Sequence, residues 1–372
     1  MRTGPTPRLL AAALAPAIVF FAAPRAQAAR TPRYAHTATL LPTGNILIAG
    51  GIDKTETVLN TTESKLTATG TTYLDGPVMT AARSSHTATT LTNGCVLIAG
   101  GWNGTTGNAD ADVYDPATNT IVTNITGLGN RYNHTATQLN SGKVLLCGGQ
   151  NSAGTILTSC VLFTPSGTTG NSCGGSFAAT GSLQLGRTLH TAVLLKDGKV
   201  WFAGGLATSG FTPTTERYDP AVNGFNSAQT LAEARAYHTA TMMGDGKVLV
   251  AGGFNGQEKL GNLGVLDTLE IYDPVANAVV PGPKLAARRQ MHSATLDSNG
   301  VVELFGGLGN ITTTYVDLSG TLNSGSLTNT WTSPNSTGAI TGINASLAAD
   351  FLLDAPVVGT VGACPAANST AP

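Results

Sequence analysis

The chain repeats one pattern six times, and this repetition limits its fold more than any other feature. All six histidines of the 372-residue sequence occupy the same place in the pattern. An arginine precedes each by three residues, a turn glycine follows each after eight, and a glycine pair follows after fourteen and fifteen. The histidines are 48 to 56 residues apart, which is the length of four short strands with their turns. Such a unit is typical of one blade of a β-propeller.

Each repeat has the sequence pattern of four antiparallel strands. A His-Thr-Ala-Thr segment predicts the first strand, and an Asn-Gly or Asp-Gly pair predicts a tight hairpin turn after it in most repeats. The next segment is apolar without alternation, as at 46–49, 96–99 and 248–251. A strand of this kind is covered on both faces, which indicates sheets packed face to face. A third strand ends at Tyr-Asp-Pro in three of the repeats, because proline cannot donate to the strand ladder.

These motifs resemble the kelch-repeat family, in a bacterial form similar to the central domain of galactose oxidase. The resemblance covers roughly residues 31–332 and implies an all-β fold, namely a six-bladed kelch-type β-propeller of four-stranded antiparallel blades. The family's tryptophan on the fourth strand is missing from most repeats, with Trp331 in a fitting position. The last blade is therefore expected to end on its own outer strand near residues 329–332.

The two ends of the chain have a different composition from the repeats. Arg2 and Arg8 precede an apolar run at 9–23, and Ala26-Gln27-Ala28 offers a cleavage site, so residues 1–28 are predicted to be a signal peptide. We therefore expect a secreted, periplasmic or cell-surface protein whose mature chain has no membrane span; a retained anchor is the alternative, disfavoured by two prolines. Residues 333–372 are predicted to be a low-complexity, partly disordered tail in which 352–361 could form a strand.

Composition excludes two classes of partner. Charged residues make up 11% of the chain and the net charge is −1, so a nucleic acid or an anionic membrane would find no basic surface. The pattern gives no indication of an oligomeric state.

Five cysteines follow the predicted signal peptide. Cys160 and Cys173 flank a turn and are candidates for a disulfide across a hairpin, the alternative being that both are buried small residues. Cys147 stands where four other repeats have alanine, so we interpret it as a core residue. No spacing indicates a zinc site.

The repeated arginines and histidines are interpreted as architecture rather than as a metal ring. A catalytic or metal site brings unlike groups together once, whereas the same pair in every repeat indicates a structural device. We expect each imidazole to be tied to neighbouring backbone at the blade junction, and each arginine to support the adjacent connection. The set comprises Arg33, His36, Arg83, His86, Arg131, His134, Arg187, His190, Arg235, His238, Arg289 and His292.

The strand order predicts that the Arg/His segments and the loops after the glycine pairs share one mouth of the channel, where propellers generally bind ligands. Aromatic rings beside amides there suit a sugar, although the same residues also suit turns and inter-blade packing. The sequence thus predicts a binding or interaction module for a glycan or a protein partner. The candidate binding residues are Trp102, Asn103, Gln150, Asn151, Phe254, Asn255 and Arg235.

A carbohydrate-active enzyme is the alternative function, either similar to sugar mutarotases or a copper oxidase similar to galactose oxidase. The adjacent Tyr237 and His238 resemble two copper ligands of galactose oxidase and are the candidate catalytic pair. The resemblance also requires a second tyrosine before another repeat histidine. Those positions hold Ala35, Ser85, Asn133, Leu189 and Met291, so no metal or cofactor is expected.

Overall fold

The computed structural model describes residues 32–66, 72–166, 173–259, 262–297 and 299–309, and three short strands beyond them. These residues form five four-stranded antiparallel sheets and one three-stranded sheet, here called sheets 1 to 6 in chain order. No helix is present in these ranges, and thus none that is long and apolar enough to cross a membrane. The predicted all-β class of antiparallel four-stranded sheets is confirmed.

The first and second strands of each sheet lie where the repeat predicts them. The first strands begin one residue after each histidine and are Thr37–Leu40, Thr87–Thr90, Thr135–Gln138, Thr191–Leu194, Thr239–Met242 and Ser293–Leu296. The second strands end directly before each glycine pair and are Ile46–Ala49, Val96–Ala99, Val144–Cys147, Val200–Ala203, Val248–Ala251 and Val302–Phe305.

The third and fourth strands complete the blades toward the outer edge. The third strands are Thr62–Lys65, Ala111–Asp115, Cys160–Pro165, Thr215–Asp219, Leu269–Asp273 and Gly359–Thr360. The fourth strands are Tyr73–Asp75, Thr120–Ile125, Gly175–Ala179, Gly224–Ala228 and Ala278–Pro281. Four small two-stranded sheets pair Arg33–Tyr34 with Ile52–Asp53, Leu206–Ala207 with Gly210–Phe211, Phe254–Lys259 with Asn262–Val265, and Tyr315–Val316 with Leu322–Asn323.

The core lies between consecutive sheets. In sheets 1 to 5 the second strands are buried on both faces, as their unbroken apolar sequence predicted, whereas Val302–Phe305 of sheet 6 contains Glu303 and alternates between buried and half-buried residues. Each core cluster takes side chains from two neighbouring sheets; Leu97 of sheet 2, for example, shares a cluster with Leu146 and Phe163 of sheet 3. The first strands of consecutive sheets also contact each other in chain order. The sheets therefore follow one another face to face around an axis, which is the arrangement of a propeller.

Both disulfides differ from the predicted pairing. Cys160 bonds to Cys147, its partner in strand register, with 4.2 Å between their Cα atoms. Cys173 bonds to Cys95 of the neighbouring sheet, with 5.8 Å between their Cα atoms. The predicted Cys160–Cys173 bond is therefore wrong, because each cysteine faces another partner once the sheets are paired and packed. Cys147 is buried as predicted, but as one half of a disulfide.

Several predictions about the chain ends are not tested. The predicted signal peptide, Trp331 and most of the predicted tail lie outside the described residues. Residues 352–361 were noted as able to form a strand, and Gly359–Thr360 pairs with the second strand of sheet 6 at Glu303 and Leu304. The domain boundaries and the count of six blades stay predictions.

Candidate binding site at the loop-bearing mouth

The repeated arginines are buried and hold the backbone at the end of the second strand. Each guanidinium donates a hydrogen bond to the carbonyl of the first glycine of the pair in its own sheet. The donor–acceptor distances lie between 2.7 Å and 3.3 Å. These hydrogen bonds are the contacts through which each arginine can support the connection after the second strand. Arg235, proposed as a ligand contact, is fully buried by these neighbours and does not reach the surface of the mouth.

In four sheets a carboxylate on the third strand pairs with this arginine. Arg83 pairs with Asp112 at 2.9 Å, Arg187 with Glu216 at 2.8 Å, Arg235 with Glu270 at 2.7 Å, and Arg33 with Glu63. In sheet 3 the equivalent position in register is Val161. Arg131 instead donates to the carbonyl and the hydroxyl of Ser159, at 2.9 Å and 3.2 Å, and has no acidic partner in the described part of the chain. Burial lowers the pKa of Arg131 to about 10.

The repeated histidines connect each sheet to the one before it. The Nε2 atom of His86, His134, His190, His238 and His292 lies 2.9 Å to 3.0 Å from the hydroxyl of the first-strand threonine in the preceding sheet. These contacts lie at the junction between neighbouring sheets, and the partner of Nε2 is a threonine side chain. The predicted tie to neighbouring backbone stays a prediction. Burial lowers the pKa of these imidazoles, to about 3 for His134 and His292. They are therefore neutral at pH 7.

The glycine pairs let neighbouring sheets approach closely. Gly50 has a φ of 61°, and a Cβ atom there would lie 2.2 Å from the carbonyl oxygen of Arg83 in the next sheet. The N–H of Gly51 donates to that same oxygen at 2.8 Å. A side chain at Gly50 would therefore push sheets 1 and 2 apart.

The loops after the glycine pairs lie beside the Arg/His segments, as the strand order predicted. The residue after each glycine pair forms a bridge with the residue after each repeated arginine. These bridged pairs are Ile52 with Tyr34, Trp102 with Ser84, Gln150 with Tyr132, Leu206 with Thr188, Phe254 with Ala236 and Leu308 with Gln290. Both kinds of segment therefore line one face of the molecule, here called the loop-bearing mouth.

Six residues with left-handed backbone form what we call the mouth ring. Each directly precedes a repeated histidine; their φ angles lie between 52° and 57°. In five of them the N–H donates to the carbonyl of the equivalent residue in the preceding sheet, at 2.9 Å to 3.3 Å. The backbone is thus constant, whereas the side chains differ in every sheet. The mouth ring consists of Ala35, Ser85, Asn133, Leu189, Tyr237 and Met291.

The three predicted asparagines serve their own loops. The Oδ1 atom of Asn103 accepts hydrogen bonds from the N–H groups of Thr105 and Thr106, at 2.9 Å and 2.8 Å. Asn151 and Asn255 accept equivalent bonds from residues two positions further along. These contacts are typical of Asx turns and favour the architectural alternative for the three amide oxygens.

The predicted aromatic and glutamine candidates lie at the mouth. Trp102 contacts Tyr132 of the next sheet with 5.2 Å between ring centroids, and both side chains are half-buried. Phe254 contacts Phe211 edge to face at the same distance. Gln150 is half-buried beside Tyr132. The structure therefore brings Trp102 and Gln150 together around Tyr132 and places Phe254 in a second aromatic contact between sheets 4 and 5.

The candidate catalytic pair is divided between two environments. Tyr237 belongs to the mouth ring and is half-buried, and burial raises the pKa of its hydroxyl. His238 is 5% exposed, with its Nε2 atom 2.9 Å from the hydroxyl of Thr191, a contact that four other repeated histidines make. The described residues contain no group of three or more His, Cys, Asp or Glu placed to hold a metal ion.

Sequence reasoning missed Tyr132 and, as a binding residue, Asn133. Both stand at repeat positions that differ between sheets, so the repeat pattern alone gave them no role. The available signal was their difference from the other sheets, since the position of Tyr132 holds serine, threonine, alanine or glutamine in four of them.

Comparison with known proteins supports the fold. The kelch motif matches residues 83–120 and 234–286, and no curated protein matches the sequence. Among solved structures, the chain is similar to a fungal alcohol oxidase of the AA5 family in complex with copper, at 20% identity and a TM-score of 0.59. The match covers 74% of this chain and 58% of the oxidase, so the chain spans little more than half of that protein. The chain therefore carries kelch motifs, and its fold is similar to that of the oxidase.

Proposed function

We propose that this protein is an exported binding module whose ligand, a glycan or a protein partner, docks at the loop-bearing mouth. The observation that carries the proposal is the mouth ring, in which a constant backbone presents six different side chains. Structural positions in the repeat keep their residue type, as the six arginines and histidines do. Variation on a fixed backbone is what a site that recognises an asymmetric ligand requires. Kelch repeats indicate an interaction module in general.

The mouth ring is divided into two arcs that would meet different parts of a ligand. Sheets 1 to 3 contribute Ala35, Ser85 and Asn133, which are small or polar, whereas sheets 4 to 6 contribute larger side chains, Leu189, Tyr237 and Met291. Met291 is 43% exposed. An amphipathic ring of this kind suits a ligand that has both an apolar and a hydrogen-bonding side.

Export is part of the proposal. The predicted signal peptide and the two disulfides both support an oxidising compartment, since disulfides persist outside the reducing cytosol.

The binding test uses a glycan array and, in parallel, a displayed random peptide library. We expect a ligand of one class whose affinity falls in Tyr237→Ala and Met291→Ala. Alanine is compatible with the backbone there, because Ala35 occupies the equivalent position with a φ of 53°. Val275→Ala is the control, since Val275 is 96% exposed in the turn between third and fourth strands, away from the mouth. Blank results with both probes, or ligands unaffected by both ring variants, would contradict the proposal.

An oxidase with a copper centre at Tyr237 and His238 is not supported by these residues. The Nε2 atom of His238 is buried and bonded to Thr191, and the other mouth-ring positions hold no second tyrosine. No contact of the described residues favours a mutarotase over a binding module.

A further inference from the structure

Four residues lie near one another in the backbone where sheets 2 and 3 meet at the mouth. We call Trp102, Tyr132, Asn133 and Gln150 the Tyr132 cluster. Tyr132 contacts the ring of Trp102 at 5.2 Å, and its backbone exchanges two hydrogen bonds of 3.0 Å with that of Gln150. Asn133 follows Tyr132 in the chain and belongs to the mouth ring. All four side chains are half-buried, so each combines contact with the protein and access to solvent.

The polar groups of the Tyr132 cluster have no protein partner within the described ranges. The side-chain amides of Asn133 and Gln150, the indole N–H of Trp102 and the hydroxyl of Tyr132 make no hydrogen bond there, and none of these atoms is fully buried. Asn103 and Asn151, in contrast, use their amide oxygens within their own loops. Groups bonded to water are available to a ligand hydroxyl at little cost, because one hydrogen bond replaces another.

The loops that surround the Tyr132 cluster carry one charged residue, Asp110, which ends the first loop and pairs with the buried Arg83 at 3.5 Å. Residues 102–109 and 150–158 contain no Asp, Glu, Lys or Arg. Arg131 lies next to Tyr132 in the chain but is 3% exposed and donates to the backbone of its own sheet. A charged ligand would therefore lose hydration without gaining an opposite charge, which favours an uncharged one.

The two loops are fixed relative to each other by Asn130 and Ser152. The Nδ2 atom of Asn130 donates to the carbonyl of Gly107 at 2.7 Å and to the hydroxyl of Ser152 at 2.6 Å. The N–H of Gly107 donates to the same hydroxyl at 2.9 Å, and the N–H of Ser152 donates to Oδ1 of Asn130 at 3.0 Å. Loops ordered before binding lower the entropy cost of ligand capture.

The equivalent positions in sheets 4 to 6 lack this combination. There, the residue after the glycine pair is Leu206, Phe254 or Leu308, and its bridge partner is Thr188, Ala236 or Gln290. An aromatic pair with a free amide beside it is thus a particular property of the contact between sheets 2 and 3 rather than of the repeat.

We propose that the Tyr132 cluster binds an uncharged oligosaccharide, an inference that rests on the proposed binding function of the mouth. A pyranose ring lies against Trp102 and Tyr132, whose apolar ring surfaces cover its C–H groups. The amides of Asn133 and Gln150 bond its hydroxyls, because an amide offers both donors and an acceptor.

The test is isothermal titration of the whole protein with cellohexaose, mannohexaose, xylohexaose and laminarihexaose, and with anionic hexagalacturonate. We expect at least one neutral hexasaccharide to bind and hexagalacturonate not to bind. Trp102→Ala should weaken binding about tenfold, through loss of the ring contact, and Gln150→Ala and Asn133→Ala about fivefold each, through loss of one net hydrogen bond. Trp102→Phe should retain most of the affinity, because it keeps an aromatic surface.

The control is Val275→Ala, since Val275 is 96% exposed in the turn between the third and fourth strands of sheet 5, away from the mouth. This variant should leave the affinity unchanged, and the melting temperature of every variant is compared with the wild type to exclude unfolding. Neutral sugars that bind equally to all cluster variants, a preference for hexagalacturonate, or no sugar binding at millimolar concentration would each overturn this inference. A peptide ligand that depends on Tyr237 and Met291 would, in those cases, still uphold the proposed binding function of the mouth.

Discussion

Sheets 5 and 3 hold the same buried arginine by different means. In sheet 5, Glu270 pairs with Arg235 at 2.7 Å and also accepts hydrogen bonds from the N–H groups of Ala232 and Glu233, at 2.6 Å and 3.3 Å. The carboxylate thereby connects the third strand to the segment that enters the sheet. Sheet 3 has Val161 in that register position, so this ionic connection is missing from it.

Sheet 3 has a covalent connection instead. Cys147 and Cys160 join its second and third strands directly beside Gly148 and Ser159, whose oxygens accept the hydrogen bonds of Arg131. The disulfide therefore fixes the acceptors that replace the carboxylate. The repeat therefore requires that the guanidinium is held by acceptors rather than by a particular counter-ion. Either an ion pair or a covalent bond can keep those acceptors in place.

Replacement of the buried arginine should give the largest difference in stability loss between sheet 5 and sheet 3. Arg235→Met leaves Glu270, which is 3% exposed, as an unpaired buried charge, and should lower the free energy of unfolding by about 3 to 5 kcal/mol. Arg131→Met leaves only neutral carbonyl and hydroxyl acceptors, and should cost about 1 to 3 kcal/mol. Urea unfolding followed by circular dichroism measures both values.

Methionine keeps the apolar stem of arginine in both variants, so packing is matched between them. A loss of equal size in Arg131→Met and Arg235→Met would mean that the carboxylate adds nothing, and the proposed difference between the sheets would be wrong.

Removal of the Cys147–Cys160 disulfide should increase local unfolding in sheet 3 and not in sheet 5. The Cys147–Cys160 bond spans a sequence separation of 13, and the double variant Cys147→Ala/Cys160→Ala should lose about 3 kcal/mol of stability. Hydrogen exchange should show faster exchange of amides in the strands of sheet 3, with sheet 5 protected as before. Equal acceleration in both sheets would show that the disulfide stabilises the whole ring rather than the site around Arg131.

The histidine contact is common to both sheets and should respond to pH in the same way in each. Burial lowers the pKa of His134 from 6.5 to about 3, and that of His238 well below 6.5. Below pH 6.5 the unfolded chain takes up a proton that the folded chain does not. Stability should therefore fall, by about 1.4 kcal/mol per pH unit for each histidine. His134→Gln and His238→Gln should each reduce that slope equally.

The slope is measured by urea unfolding at several pH values between 4.5 and 7, with Lys54→Gln as an exposed control that leaves it unchanged. If His134→Gln reduced the slope of stability against pH less than His238→Gln, then Arg131, which has no carboxylate partner in the described residues, would affect the protonation of His134. The two sheets would then differ in more than one contact.

Much of the fold follows from the repeat alone. The position of His238 relative to Gly246 and Gly252 predicted the first strand, its hairpin turn and the end of the second strand, because local sequence determines turns and strand ends. The candidate site was predictable in part. Trp102 and Gln150 lie at the mouth as expected, but Asn103 proved to be a turn residue, since a single sequence does not show whether an amide bonds its own loop or remains free.

The sequence by itself determined the all-β class, the register of the repeat and the face on which the variable loops lie, because these depend on periodicity and on residues near each other in the chain. Only the tertiary structure decided which cysteines pair, that five of the repeated histidines contact a threonine of the preceding sheet, and that Trp102, Tyr132, Asn133 and Gln150 lie near one another. The reason is physical: apart from the Cys147–Cys160 bond, which forms when two strands of sheet 3 pair, those contacts join residues of neighbouring sheets and form when the blades pack around a common axis.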